Sequence, residues 1–269
     1  MPFAHYDQGS IFYEEKGNGE PLIFIHGVGL DHQMWEKQVK GLSQHYRVIC
    51  YDMLGHGGSE HPPGPYSLSH YVGQLAGLMQ HLGLKESHVV GFSMGGMVAQ
   101  AFALEFPEKI QTLTILNAVA NRTDEQRKAI LLRVEEVKKS GAQSTIETAI
   151  QRWFNPEFLV NNESVVNQIR TRLQTNNPHS YLAAYTLFAT ADQELWPKLT
   201  TIKLPTLIIT GEHDVGSTPE MSMSMHQQIE HSELLIFPNM KHMLPAEDAD
   251  YLNKEIEKFI KKNAVPVVR

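Results

Sequence analysis

Residues 88–106 read HVVGFSMGGMVAQAFALEF, and the rest of the chain is organised around this stretch. Its first part, up to Phe92, is apolar and rich in valine, which predicts a strand that is buried on both faces. From Gly96 onward the composition favours a helix, and Pro107 ends it. The stretch therefore predicts a buried strand, a sharp turn with Ser93 at its apex, and a helix.

The turn, GFSMG at residues 91–95, fits the pattern G-x-S-x-G, in which a serine hydroxyl projects from a strained strand-to-helix turn. The strand and the helix cross closely beside such a serine, and glycines leave no Cβ atoms to collide there. At ordinary residue frequencies the pattern arises by chance about once in ten chains of this length. The rest of the chain therefore has to distinguish a nucleophile from an incidental serine in a turn.

The composition is that of an ordinary globular protein. Of 269 residues, 42% are hydrophobic and 20% are charged, which suits one large domain or a domain with a modest insert. The net charge of −7 disfavours a nucleic-acid or anionic-membrane partner. The single cysteine, Cys50, permits no internal disulfide, and neither a signal peptide nor a membrane-spanning apolar run is evident. We therefore expect a cytoplasmic protein.

Strand patterns alternate with helix patterns on both sides of the central stretch. Residues 21–25 form a short apolar run that predicts a central strand, residues 46–51 and 110–116 are further strand candidates, and residues 3–6 and 10–14 predict an edge hairpin around Gln8 and Gly9. Such alternation is typical of a mostly parallel sheet with helices on both faces. In these sheets ligands bind at the carboxyl ends of the strands.

The pattern changes after Asn117, since residues 118–196 contain no convincing strand. Four helix starts are predicted there: capping boxes at Thr123 with Gln126 and at Ser144 with Glu147, Asn161 or Asn162, and Asn177 before Pro178. We therefore predict an α/β core formed by residues 1–117 and 197–269, with a helical cap inserted at 118–196. Most aromatic residues of the cap are expected to fill its own core. Candidates for lining a substrate pocket are Trp153, Phe154, Phe188 and, from the core, Met243.

Strands resume at residues 206–210 and 233–237, and a reactive residue follows each of them. Asp214 comes after the first and His242 after the second. The order Ser93, Asp214, His242 is the one expected when the nucleophile occupies a strand-to-helix elbow. These three residues are therefore the candidates for a catalytic triad.

Taken together, the segments resemble the α/β-hydrolases over nearly the whole length of the chain. The matching segments are HGVG at 26–29, DMLGHGGS at 52–59, GFSMGG at 91–96, GEHD at 211–214 and NMKH at 239–242. HGVGLDHQMW, PPGPYSL and GFSMGG further resemble 3-oxoadipate enol-lactonases and small-molecule carboxylesterases. The resemblance implies an α/β-hydrolase fold, with a mostly parallel central sheet flanked by helices and an inserted helical cap.

The chemistry and the family together suggest a role for each candidate residue. Ser93 would attack an acyl carbonyl, His242 would take and return the proton, and Asp214 would hold the imidazole in the required tautomer. The backbone N–H groups of Val28 and Met94 would form the oxyanion hole. This chemistry requires no metal and no cofactor, and no cluster of residues has a spacing that convincingly matches a set of metal ligands.

Several alternatives accompany these assignments. Some relatives place the acid after the strand that precedes the cap, but that position is Asn117, which cannot carry the charge; Asp124 is a weaker substitute. His26 is expected to brace the oxyanion loop, and Asp52 to hold its own loop. A lactone acid would need an inward-pointing cation for its carboxylate, and the sequence does not distinguish among six arginines of the cap: Arg122, Arg127, Arg133, Arg152, Arg170 and Arg172.

The leading hypothesis is a serine hydrolase of small carboxylic esters or lactones. A 3-oxoadipate enol-lactonase, an acyltransferase, a cofactor-free perhydrolase or a carbon–carbon bond hydrolase would use the same triad. A serine at position 93 argues against a haloalkane dehalogenase, which needs a carboxylate nucleophile. A ligand receptor built on a hydrolase fold is the alternative from a different class.

Overall fold

A mostly parallel sheet crosses the molecule in this computed structural model, which describes residues 3–6 and 9–263. Its eight strands within those ranges are β1 Phe3–Tyr6, β2 Gly9–Lys16, β3 Glu20–Ile25, β4 Tyr46–Tyr51, β5 Ser87–Phe92, β6 Ile110–Leu116, β7 Thr206–Gly211 and β8 Ser232–Phe237. They lie in the order β1-β2-β4-β3-β5-β6-β7-β8, and β2 runs antiparallel to both of its neighbours. The edge hairpin and the mostly parallel sheet are thus confirmed, although Gln8 of the hairpin turn lies outside the described residues.

The register of the central strands brings their carboxyl ends to one edge of the sheet. Ile25 of β3 pairs with Gly91 of β5, and Leu116 of β6 pairs with Ile209 of β7. Every residue of β5 is buried, as a strand covered on both faces must be. The loops that follow β3, β5, β6, β7 and β8 therefore meet at this edge.

Helices cover both faces of the sheet and continue between β6 and β7. They are α1 Glu36–Leu42, α2 Leu68–His81, α3 Met94–Glu105, α4 Asp124–Ser140, α5 Gln143–Trp153, α6 Pro156–Asn161, α7 Glu163–Gln174, α8 Pro178–Thr190, α9 Asp192–Leu195, α10 Pro219–Gln228, α11 Leu244–Glu247 and α12 Ala249–Asn263. Within residues 3–6 and 9–263, no helix is both long enough and apolar enough to cross a bilayer.

Alternation along the strands separates two apolar cores. In β3, Ile23 belongs to a cluster that includes Val98 of α3, whereas Phe24 belongs to a cluster that includes Ile256 of α12. Successive side chains of a strand point to opposite faces, so each face of the sheet has its own helical layer. The two layers fix the sheet from both sides and leave the carboxyl edge for the loops.

The helical segment between β6 and β7 differs in detail from the prediction. Thr123 and Gln126 form the expected capping box of α4, and Asn177 caps α8 through the N–H groups of His179 and Ser180. The predicted start at Ser144 is wrong, because α5 already begins at Gln143 and the Ser144 hydroxyl donates to the Gly141 carbonyl.

The predicted number of helix starts in this segment, four, is also wrong, because α4 to α9 all lie between β6 and β7. Gly141, at a φ of 80°, ends α4, and the chain re-enters a helix through Ala142, which is itself helical and provides no side-chain cap. The short helix α6 follows Asn155 and has a proline at its start, and Asn162 precedes α7 without a side-chain hydrogen bond. Side-chain caps are visible in a sequence, whereas helix starts without them are not.

Candidate active site

Ser93 occupies a strained turn between β5 and α3. Its φ of 54° and ψ of −116° lie outside the regions that a side-chain-bearing residue ordinarily adopts, and its N–H donates to the Leu116 carbonyl at 2.8 Å. A Cβ atom at Gly91 would collide with the Gly95 carbonyl, and one at Gly95 would collide with the Ile25 carbonyl. Only glycines therefore permit the close crossing that holds the serine at the apex.

Asp214 and His242 meet at the carboxyl ends of β7 and β8. The His242 Nδ1–H donates to Oδ2 of Asp214 at 2.6 Å, and both side chains are buried. Because Nδ1 carries the proton in this bond, Nε2 of a neutral imidazole is left as an acceptor. The pair is therefore set up as a base whose orientation a carboxylate fixes.

Three further donors hold the Asp214 carboxylate. Oδ1 accepts from the N–H groups of Gly216 at 2.8 Å and Ser217 at 2.9 Å, and Oδ2 accepts from the Asn117 amide at 2.8 Å. Burial opposes ionisation, but the neighbouring His242 and these hydrogen bonds outweigh it and hold the pKa of Asp214 below its ordinary value. The carboxyl is therefore ionised at neutral pH.

The His242 ring lies between two aromatic side chains. Its centroid is 4.8 Å from that of Phe92, the residue before Ser93, and 5.8 Å from the ring of Trp153. The backbone N–H groups of His242 and Met243 both donate to the Trp153 carbonyl at 3.1 Å. The imidazole is thus held next to the elbow by contacts from the strand and from the end of α5.

The loop after β3 lies directly against the elbow. A Cβ atom added to Gly27 would be 3.3 Å from Cβ of Ser93. His26 braces this loop, because its Nε2 accepts from the Met53 N–H at 2.9 Å while its Nδ1–H donates to the Gly27 carbonyl at 2.7 Å. Burial lowers the pKa of His26, which keeps the ring neutral and able to accept that hydrogen bond.

Two backbone N–H groups remain available beside Ser93. Val28 is in the loop after β3, and Met94 is the first residue of α3. Neither N–H donates a hydrogen bond to another described residue. Unbonded N–H groups at a helix start favour negative charge, so this corner can bind an anionic oxygen.

The sequence profile of the α/β-hydrolase fold family matches residues 20–249. The chain belongs to this family. The match covers strands β3 to β8 and the helical segment between β6 and β7, in agreement with the predicted fold class.

Individual α/β-hydrolases resemble the chain over nearly its full length. It is 31% identical to the (E)-2-((N-methylformamido)methylene)succinate hydrolase of Acinetobacter baylyi, over 92% of this chain and 93% of the relative. It is 30% identical to 3-oxoadipate enol-lactonase 2 of the same organism, over 90% and 88% of the two chains. The crystal structure of the enol-lactonase from Burkholderia xenovorans LB400 superposes with a TM-score of 0.90 at 28% identity, covering 97% of this chain and 100% of that one.

The four predicted pocket residues of this α/β-hydrolase lie in different surroundings. Trp153 contacts His242, as described above. Met243 is buried and borders a cavity of about 870 Å³ whose lining includes Asp31 and Arg172 but none of the three triad candidates.

The two phenylalanines lie elsewhere. Phe154 is fully buried and stacks on Phe158 at 5.3 Å, so its ring packs in the apolar core, and a place for it in a substrate pocket stays a prediction. Phe188 is half-buried beneath the Arg122 guanidinium, 4.8 Å from its ring, and stacks on Tyr185. The place of Phe188 in a substrate pocket stays a prediction.

The sequence did not indicate two contributors to the site. Asn117 was considered only as a position for the acid, and the structure shows that its amide donates to Asp214. Tyr181 of α8 lies against the loop after β3, since a Cβ atom at Gly29 would be 2.8 Å from its ring. Both contacts join residues that are distant in the chain, and no local pattern marks them.

Proposed function

We propose that this α/β-hydrolase is a serine hydrolase that cleaves small carboxylic esters or lactones through an acyl-enzyme on Ser93. Assignment to the carboxylic ester hydrolases, as an esterase or lactonase, agrees with the family and with the hydrolases that resemble the chain. The observation that carries the proposal is the buried 2.6 Å hydrogen bond between His242 and Asp214, beside a serine at a positive φ.

The proposed cycle assigns one step to each side chain. The Ser93 hydroxyl attacks the acyl carbonyl while Nε2 of His242 takes its proton. His242 then delivers that proton to the leaving alkoxide, and the ester C–O bond breaks. Water repeats the attack on the acyl-enzyme and releases the acid and free Ser93. Asp214 stabilises the imidazolium that forms in both halves of the cycle.

The oxyanion that forms in each half of the catalytic cycle needs hydrogen-bond donors that are already in place. We assign this role to the N–H groups of Val28 and Met94, which flank Ser93 from the loop after β3 and from the start of α3. Loss of one such donor typically costs about 3 kcal/mol of transition-state stabilisation. Because both are backbone groups, side-chain substitutions at Val28 or Met94 should change the shape of the site more than they reduce turnover.

We further propose that residues 118–196 act as a cap over this site. The carbonyl of Trp153, at the end of α5, accepts from the loop that carries His242, and Tyr181 of α8 contacts the loop after β3. Contacts of this kind on both sides of the site support a cap that limits access of water and of large substrates. Small esters and lactones are the substrates that such a site favours.

Removing the nucleophile tests the proposal. We expect Ser93→Ala to lower kcat on a short-chain p-nitrophenyl ester by about 10³-fold or more, since loss of a triad nucleophile removes covalent catalysis. Ser164→Ala, at an exposed position on α7, is the matched control and should keep the wild-type rate. Full esterase activity in Ser93→Ala would refute the proposal, and steady turnover by the wild type would count against a ligand receptor.

A further inference from the structure

The six arginines of the cap differ in whether a carboxylate forms an ion pair with them. Four have a carboxylate partner: Arg122 and Arg127 on Asp192, Arg170 on Glu147 and Arg172 on Asp31. Among the residues that the structure describes, Arg133 and Arg152 have no ion pair with any carboxylate. Both side chains are half-buried, so solvent screens their charges only in part.

Arg152 is held close to the His242 loop by both of its neighbours in the chain. The carbonyl of Gln151 accepts from Lys241 Nζ at 3.2 Å, and that of Trp153 accepts from the His242 and Met243 N–H groups. Arg152 lies between these two anchors in the last turn of α5. The backbone of Arg152 is therefore held next to the loop that carries the proposed base.

Arg133 of α4 approaches the same region from the other side. It lies beside Tyr185 of α8, whose ring stacks on that of Tyr181 at 5.6 Å, and Tyr181 in turn contacts the loop after β3. Arg152 also lies near Arg133, Tyr185 and Tyr181, so the four side chains form one cluster that is joined to the His242 loop at Arg152 and to the loop after β3 at Tyr181. We call Arg133, Arg152, Tyr181 and Tyr185 the arginine cluster.

The charges within the arginine cluster are consistent with this placement. Burial lowers the pKa of the Arg152 guanidinium, the charge of Arg133 lowers it further, and Tyr185 and Asp214 act in the opposite direction. Asp214 is already engaged by His242, Asn117 and the N–H groups of its own loop, so it does not neutralise the cluster. Two partly desolvated cations that find no counter-ion within residues 3–6 and 9–263 favour the binding of an anion.

We propose that Arg152, assisted by Arg133, binds a free carboxylate of the substrate, so that the preferred esters and lactones carry a carboxylate remote from the scissile carbonyl. A guanidinium binds a carboxylate through two parallel N–H···O bonds, which would fix the distance between that carboxylate and Ser93. The inference rests on the proposed serine hydrolase function and names its substrate class.

A matched pair of substrates isolates the carboxylate. Monomethyl glutarate and dimethyl glutarate contain the same scissile methyl ester, and only the first has a free carboxylate. We expect the wild type to prefer the monoester in kcat/KM. We expect Arg152→Gln to lower kcat/KM for the monoester by about 10- to 100-fold, the usual range for a lost charge-assisted hydrogen bond, and to leave the diester within about threefold.

Control variants separate a local effect from a general one. Arg170→Gln removes a partly exposed arginine that pairs with Glu147 and should leave hydrolysis of both substrates unaffected. Arg133→Gln should lower the preference for the monoester in the same direction as Arg152→Gln. Equal losses on both substrates in Arg152→Gln, or a wild type without preference for the monoester, would overturn the inference and leave Ser93-dependent diester hydrolysis intact. Absence of any Ser93-dependent hydrolysis would instead overturn the proposed function and, with it, the inference.

Inhibition of the wild type tests the same point without a substitution. Glutarate should inhibit hydrolysis of a neutral p-nitrophenyl ester competitively, at a concentration about tenfold or more below that required for glutaramide. If the arginine variants fail to fold, this comparison decides the matter. Equal inhibition by the acid and the amide would contradict the carboxylate site.

Discussion

Asn117 shows how one side chain outside the proposed triad can set its geometry. The residue is buried at a φ of 47°, and its amide donates to the same carboxylate oxygen that accepts from His242. The two donors approach Oδ2 from different strands, since Asn117 follows β6 and His242 follows β8. We infer that Asn117 is a positioning residue, which acts on the imidazole through Asp214.

Removing this amide should slow the chemical step more than it weakens substrate binding. We expect Asn117→Ala to lower kcat by about tenfold or more, as a lost hydrogen bond to a charged group implies, while KM stays within about twofold. Asn121→Ala is the matched control, because Asn121 also has a positive φ, of 46°, but is exposed. An unchanged kcat, or a loss confined to KM, would contradict the positioning role.

For individual residues, the sequence could predict those that belong to a motif but not the side chains with which they form hydrogen bonds. Ser93, Asp214 and His242 were nominated because each follows a strand and because their order suits an elbow nucleophile. The Asn117–Asp214 bond joins residues 97 positions apart, and it forms only because β6 and β7 are neighbours. Likewise, the sequence offered six arginines, and only contacts in the described part of the chain distinguish the two that form no ion pair there.

Asp192 joins the two ends of the helical segment between β6 and β7. It begins α9, near the end of the segment, and pairs with Arg122 at 2.7 Å and with Arg127 at 2.8 Å, near its beginning. The carboxylate is fully buried, and Arg122 also donates to the Phe188 carbonyl. One buried carboxylate therefore neutralises two cations and fastens the segment.

Neutralising this carboxylate should destabilise the protein strongly. We expect Asp192→Asn to lower the free energy of unfolding by about 3–5 kcal/mol, because both arginines lose their counter-charge in a buried setting. Urea denaturation measures the difference. Glu147→Gln, which removes the exposed partner of Arg170, should cost at most about 1 kcal/mol. Similar small losses in both variants would show that Asp192 does not anchor the segment.

At the level of elements, the strands were easier to predict than the helical segment. The prediction of a strand at residues 46–51 matches β4 at both ends, since a strand between two helical layers is mostly apolar; Arg47 is its one charged residue. In the segment, starts with a side-chain cap were found at Thr123 and Asn177, whereas α5 and α6 begin without one. Tertiary packing decides these helices, and it is not encoded within a few residues.

Two buried carboxylates link the stability of the whole molecule to pH. Asp52 accepts from the His32 N–H and ring at 2.8 Å each and from the Gly58 N–H at 2.8 Å, and Asp214 accepts the bonds described above. Burial opposes ionisation of Asp52, but its contact with His32 and the bond from Gly58 hold its pKa below the ordinary value. At Asp214, His242 and the hydrogen bonds from Asn117 and Ser217 lower the pKa in the same way. Folding therefore favours the ionised form of both groups.

A group whose pKa is lower in the folded state stabilises the protein above its ordinary pKa, and this contribution is lost as the pH falls through the folded pKa. We expect the free energy of unfolding to fall steadily as the pH drops from about 5 to below the ordinary carboxyl value of 3.8. Asp214→Asn should be less stable than the wild type at pH 6, and the difference should narrow with acid. A difference in stability that is independent of pH would contradict this linkage.

The central claim is that the Ser93 hydroxyl, activated by His242, attacks an acyl group, and covalent labelling tests it most directly. The protein would be treated with a p-nitrophenyl alkylphosphonate, which traps an activated serine, and the adduct located by peptide mass spectrometry. The account predicts one phosphonyl group on Ser93, with labelling slowed by about 10³-fold or more in His242→Ala. No adduct on Ser93, or labelling at the same rate without His242, would contradict it.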